Sequence, residues 1–161
     1  MSSIEDRLRQ WLKDVDRVVV VGVGNELRGD DFVGMAVVKS LKGRVDERRV
    51  LLIESETVPE SFLEEIVKFH PSHVLVADAG LVELEAGGAR FVDANRLFQH
   101  GAVSTHILPL RIFCEYLKKT TRAKIALLIV QPRNTDFGEG MSREVERAVK
   151  MLARIIKEAL P

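Results

Sequence analysis

Two aspartates and one histidine stand out by type and by setting: Asp31 in GNELRGDDFVG, Asp78 in VLVADAG and His106 in STHILPL. Each sits where an apolar run ends or a helical one begins, and α/β proteins gather the side chains of a site at such positions. Two carboxylates and one imidazole, drawn from three loops, would roughly neutralise a divalent cation and leave coordination positions open. Open positions are what a metal needs in order to polarise a carbonyl or activate water. The donor set suits nickel, zinc or manganese better than a metal that prefers thiolates.

Each residue also has a plainer reading. Asp30 or Asp31 can cap the helix that follows by accepting from its free N–H groups, and one cap leaves the other carboxylate for a site. Asp78 can be an ordinary turn residue, and His106 a hydrogen-bonded loop or core histidine. Singly these signals are weak, and the constellation is stronger than its members.

Other chemistries fit less well. Gly22-Val23-Gly24 starts a G-x-G-x-x-G fingerprint, but Leu27 stands where the third glycine must let helix and strand approach. No Gly-Lys-Ser/Thr follows, so the turn is not a P-loop. No serine sits in a nucleophile elbow and there is no HExxH helix. Cys114 shares a helical face with Leu110, Phe113 and Leu117, which predicts a buried thiol rather than a nucleophile. His70 and His73 flank a Pro-Ser turn and are expected at the surface, and His100 is a spare ligand by its position in sequence. Glu54 and Glu56, at the end of a strand, would add charge near the site.

The elements that must position these residues alternate. Residues 3–15 have helical period through Ile4, Leu8, Trp11, Leu12 and Val15. Apolar, β-branched strands are expected at 17–23, 50–54, 73–79 and 124–131, with a short strand at 89–93. Helices are expected at 31–42, from Pro59 through Phe69, from near Pro109, and over 142–159, with a loop over VQPRNTDFGEGMS. Strands alternating with helices predict a mainly parallel sheet covered on both faces. The 89–93 strand follows its predecessor too closely for a helical crossover and is expected to be antiparallel. The result is one three-layer, doubly wound α/β domain over 1–161, in which 1–16 form an additional N-terminal helix.

The 161 residues carry 24 basic and 24 acidic side chains, so no broad phosphate-binding surface is expected and nucleic acid is disfavoured. One cysteine cannot form an internal disulfide. No apolar run approaches the roughly 18 residues of a membrane helix, and no apolar leader is visible. These features predict a soluble, cytoplasmic protein without membrane insertion.

GVGNELRGDDFVG, VADAG, STHILPL and VQP, in this order, resemble the nickel-iron hydrogenase maturation endopeptidases. The likeness runs over roughly 17–158 and is nearest the branch that serves hydrogenase 3-type, formate-hydrogenlyase-like complexes. It implies a phosphorylase/hydrolase-like α/β fold with a five-stranded twisted sheet. It also implies an enzyme that removes a C-terminal peptide from the hydrogenase large-subunit precursor after nickel insertion. The family's metal ligands fall on Asp31, Asp78 and His106, and the nickel belongs to the substrate; other divalent metals can substitute in vitro. No separate nucleophile is implied, so any catalytic part of Asp31 and Asp78 would act through the metal. The partner is the precursor, met by a monomer. Two departures from the family pattern lie beside the site: Phe32 replaces a glycine, and Glu54-Ser55-Glu56-Thr57 replaces a glycine-rich stretch. A protein that checks the nickel without cutting would use the same three ligands, so product formation separates the two readings.

Overall fold

The computed structural model describes residues 3–97, 103–104 and 106–161. Four parallel strands form the body of the sheet: β1 (Val18–Val23), β2 (Val50–Glu56), β3 (His73–Leu81) and β6 (Lys124–Val130). β4 (Ala89–Asp93) pairs antiparallel with β6 and closes one edge, giving the order β2-β1-β3-β6-β4. The expected five strands, with one antiparallel, are the strands observed. A two-residue β5 (Val103–Ser104) adds antiparallel to Gly80 and Leu81 at the end of β3.

Every residue of β1 is buried, as a valine run covered on both faces requires. Alternate side chains enter two separate cores. Val18 and Val20 pack with Leu75 and Leu128 under α1 (Ile4–Trp11), α2 (Val33–Leu41) and α6 (Arg143–Ala159). Val19, Val21 and Val23 pack with Val76 and Ile129 under α3 (Leu63–Phe69) and α5 (Ile107–Thr120). A short α4 (Ala94–Leu97) follows β4. No helix among the described residues is long and apolar enough to cross a membrane.

Some boundaries differ from the expectation, with local causes. α1 ends at Trp11, and Leu12 to Val15 make a turn, because Val15 N–H bonds to Leu12 O at 3.0 Å. Residues Gly29–Phe32 form a 3-10 turn ahead of α2. β3 continues two residues beyond Ala79 because β5 pairs with it. α5 starts at Ile107, which puts Pro109 inside its first turn.

His73 is a correction: it is only 2% exposed, not a surface residue. It opens β3 beneath α1, where one ring nitrogen lies 2.9 Å from Trp11 O and the other 2.8 Å from Ser72 Oγ. The Trp11 ring meets it edge-on at 4.8 Å. His70 is exposed, in a left-handed conformation at the end of α3.

α2 lies unusually close to the sheet. A Cβ added at Gly34 would stand 2.0 Å from Ala77 O and 2.5 Å from Val23 O, and one at Gly22 would stand 2.5 Å from Gly34 O. The helix-to-strand approach that Leu27 could not provide is made by this Gly22–Gly34 pair.

Candidate metal site

The carboxyl ends of β1 and β3 and the amino end of α5 meet at one point, and Asp31, Asp78 and His106 converge there. One ligand atom from each lies within 4.8 Å of the others. Asp31 belongs to the 3-10 turn after β1, Asp78 lies within β3 beside Ile129 of β6, and His106 is the residue preceding α5. Both aspartates are buried, Asp31 at 3% and Asp78 at 0% exposure. His106 keeps 15% of its side chain open, so access runs past the imidazole.

Backbone amides orient the two carboxylates. Asn25 N–H donates to Asp31 Oδ2 at 3.1 Å, and Ala79 N–H donates to Asp78 Oδ1 at 2.8 Å. The imidazole bridges them: Nδ1 lies 3.1 Å from Asp78 Oδ2, and Nε2 lies 3.5 Å from Asp31 Oδ2. Burial disfavours the charged ring, but the Asp78 hydrogen bond and the charges on Asp78 and Asp31 outweigh it and raise the His106 pKa. A cation and that proton therefore compete for the same nitrogen.

The donors fit a divalent ion in kind and in spacing. Carboxylate oxygens and an imidazole nitrogen bind such ions at about 2 Å, so two donors on one ion lie at most about 4 Å apart. Small side-chain rotations from the observed spacing would close the set.

The doublet divides its work in a way the capping expectation missed. Neither aspartate caps α2, whose N-cap residue is Phe32 and makes no side-chain cap bond. Asp30, 1% exposed, turns away from the site and accepts from Arg133 N–H at 2.8 Å, Asn134 N–H at 3.1 Å, Ser142 N–H at 2.7 Å and Ser142 Oγ–H at 2.8 Å. Sequence reasoning missed this role, and its only signal was the repetition of Asp before a helix.

A cleft of about 500 Å³ is lined by Asn25, Leu27, Phe32, Met35, Glu54 and Glu56. It borders the three converging residues without including them. Phe32 forms part of its wall. Glu54 is engaged by Lys39 of α2 and by Lys42, the residue that follows that helix, and their hydrogen bonds hold its carboxyl below the usual range. Glu56 ends β2 in a left-handed conformation (φ 52°), and its carbonyl accepts from Gly24 N–H.

The remaining expectations divide. Cys114 is buried, and burial pushes its thiol up to about 12, so it is no nucleophile at neutral pH. His100 lies outside the described residues. The amides after β1 are already engaged, Gly24 by Glu56 O, Asn25 by Asp31 and Leu27 by Asn25 Oδ1, which argues against a pyrophosphate cradle.

Known proteins resemble this chain in sequence and in fold. The HycI family model, described as hydrogenase maturation protease, matches residues 35–159. A Methanocaldococcus jannaschii protein assigned to the hydrogenase maturation proteases is 33% identical over 96% of this chain and 97% of its own. The hydrogenase 3 maturation protease of Escherichia coli K12 is 25% identical over 82% of this chain and 83% of its own. The crystal structure of the nickel-iron hydrogenase maturation protease HycI from Thermococcus kodakarensis superposes with a TM-score of 0.88 at 35% identity, over 96% of this chain and 98% of that one. Likeness in sequence and in fold along nearly the whole length has one reading: the chain belongs to the hydrogenase maturation protease family.

Proposed function

We propose that this protein is a cytoplasmic endopeptidase that removes the C-terminal extension of a nickel-iron hydrogenase large-subunit precursor after nickel has been inserted. The observation that carries this reading is the convergence of Asp31, Asp78 and His106 within 4.8 Å at the carboxyl edge of the sheet, in a member of this family. All three come from one chain, so a monomer suffices.

Nickel arrives as part of the substrate and supplies Lewis acidity at the scissile carbonyl or at an attacking water. The protein's part is recognition and placement. Asp31 and Asp78 offer two buried negative charges, each with an oxygen held by a backbone amide. His106 offers a neutral nitrogen once its proton leaves. Burial of both carboxylates keeps bulk water off the sheet side and strengthens their pull on a cation. Docking the precursor by its metal fixes the adjoining peptide near the same carboxylates, which makes cleavage effectively intramolecular.

The test is the intact mass of a nickel-loaded precursor before and after incubation, beside a nickel-free control. Loss of one C-terminal peptide in the loaded sample alone is the expected result. An unchanged mass with a stable complex would favour a protein that checks nickel without cutting. In a folded Asp31→Ala variant processing should disappear, and full retained activity would sink the assignment.

A further inference from the structure

We propose that Asp30 is a positioning residue for Asp31, acting through the loop between β6 and α6. The turn Gly29–Phe32 that carries Asp31 is held from two sides. On the sheet side, Gly34 sits against the carbonyls of Ala77 and Val23. On the other side lies the loop, and the contacts there are polar and dense. Asp30 accepts four hydrogen bonds from Arg133, Asn134 and Ser142. The loop's own carbonyls accept two more, Asn134 O from Asp30 N–H at 2.9 Å and Gly138 O from Gly29 N–H at 2.8 Å. Gly29 adopts φ +54°, and a Cβ there would stand 2.6 Å from Asn134 O, so the loop presses directly on the turn.

Asp30 thus grips both the start of the loop and the residue preceding α6, a 17-residue helix with seven buried side chains. The aspartate that would read the metal is covalently next to it. Site side chains must be held to within about 0.5 Å to be productive, and the supporting residues supply that precision. A carboxylate suits this place because all four of its partners are donors. Asparagine would keep the shape but present its NH₂ to N–H groups, leaving buried donors opposed.

One part of the test is independent of the proposed peptidase reading, and the other rests on it. Asn25 N–H donates to Asp31 Oδ2, so its hydrogen exchange reports the placement of that carboxylate in the free protein. Asp30→Asn is compared with Val149→Ala, a buried α6 position elsewhere in the core that serves as a control for lost stability. Exchange is read under conditions that match the two variants in global stability. Asn25 should exchange about tenfold faster in Asp30→Asn than in the control, and kcat for precursor processing should fall about tenfold or more with little change in KM. Ser142→Ala removes only the Oγ bond and should show the same ordering on a smaller scale, so the proposal stays testable if Asp30→Asn does not fold. Asn25 exchange equal to that of the control in both Asp30 and Ser142 variants overturns the proposal. Failure of the wild-type protein to cleave any precursor would defeat the peptidase reading while leaving the exchange result to decide the role of Asp30.

Discussion

Replacing Gly34 by alanine tests the geometry that brings Asp31 to Asp78. At an open helix position this exchange stabilises by about 1 kcal/mol, because alanine loses less backbone freedom. Here the new methyl would stand 2.0 Å from Ala77 O, against ordinary contact from 3.4 Å, so the start of α2 must retreat by about 1.4 Å. Its second neighbour, Val23 O at 2.5 Å, blocks a sideways escape, and both obstacles are backbone. Overpacking of this kind costs about 1–3 kcal/mol. Taking the upper end and subtracting the helix gain leaves a loss of about 2 kcal/mol, or about 4–8 °C in Tm for a chain of this size. Ala77 precedes Asp78, and Asp31 lies three residues before Gly34. The retreat therefore separates the two carboxylates and stretches the 3.1 and 3.5 Å contacts through His106. Processing per folded molecule should fall about a hundredfold, as misplacement by an ångström does elsewhere. Thermal melting and intact-mass kinetics on the same preparation read both effects. A rise in Tm would refute the close-packing argument, and a lower Tm with unchanged processing would refute its link to the site.

Two further expectations concern groups outside the site. Burial lowers the His73 pKa below its ordinary 6.5. The unfolded chain then binds the proton more readily, so the stability from neutral His73 is complete above about pH 6.5 and is lost as pH falls through the depressed folded value. Denaturant unfolding of wild type and His73→Gln at pH 7.5 and 5 should show their stability difference shrinking at the lower pH, and a growing difference would contradict the assignment. Cys114, with its thiol near 12 and 1% exposure, should resist a maleimide at pH 8 in the native protein and react at the rate of unfolding in denaturant. Rapid native labelling would show that the α5 face is open.

Much of the fold was legible because its signals are local. The β1 valines are too short a run for a helix of ordinary length and too β-branched to favour one, Ser142 marks the start of α6 within a residue, and Pro59 opens a 3-10 turn (Pro59–Phe62) that leads into α3. The brevity of the 81–89 connection sufficed to make β4 antiparallel. The candidate site was legible for a related reason: Asp31 and His106 sit just ahead of helices and Asp78 lies towards the carboxyl end of β3, and parallel sheets collect such positions at one edge. His73 was misread because its burial depends on α1, whose Trp11 carbonyl lies 62 residues away in sequence and carries no local sign of that contact. Gly34 escaped notice since its reason lies in strand carbonyls, Val23 O and Ala77 O, that the sequence of α2 does not show. Asp30 looked like a cap because a carboxylate before a helix usually is one; its partners stand 103 to 112 residues further on.

The geometry of the Gly-Asp-Asp turn explains why two identical neighbours cannot share one role. A 3-10 turn advances about 120° per residue, so consecutive side chains must leave it in different directions. One direction faces the ends of β3 and α5, and the other faces the loop leading into α6. Asp31 takes the first and meets Asp78 through His106; Asp30 takes the second and meets three backbone amides and a hydroxyl. Both surroundings favour a carboxylate, for opposite reasons. Asp31 stands beside another acid and a bridging imidazole, a setting that favours a cation. Asp30 is saturated by donors of the chain itself and has no capacity left for one. Equal residue type and nearly equal burial thus conceal a division between holding the loop before α6 and facing the candidate metal site, and only the direction of each side chain reveals which is which.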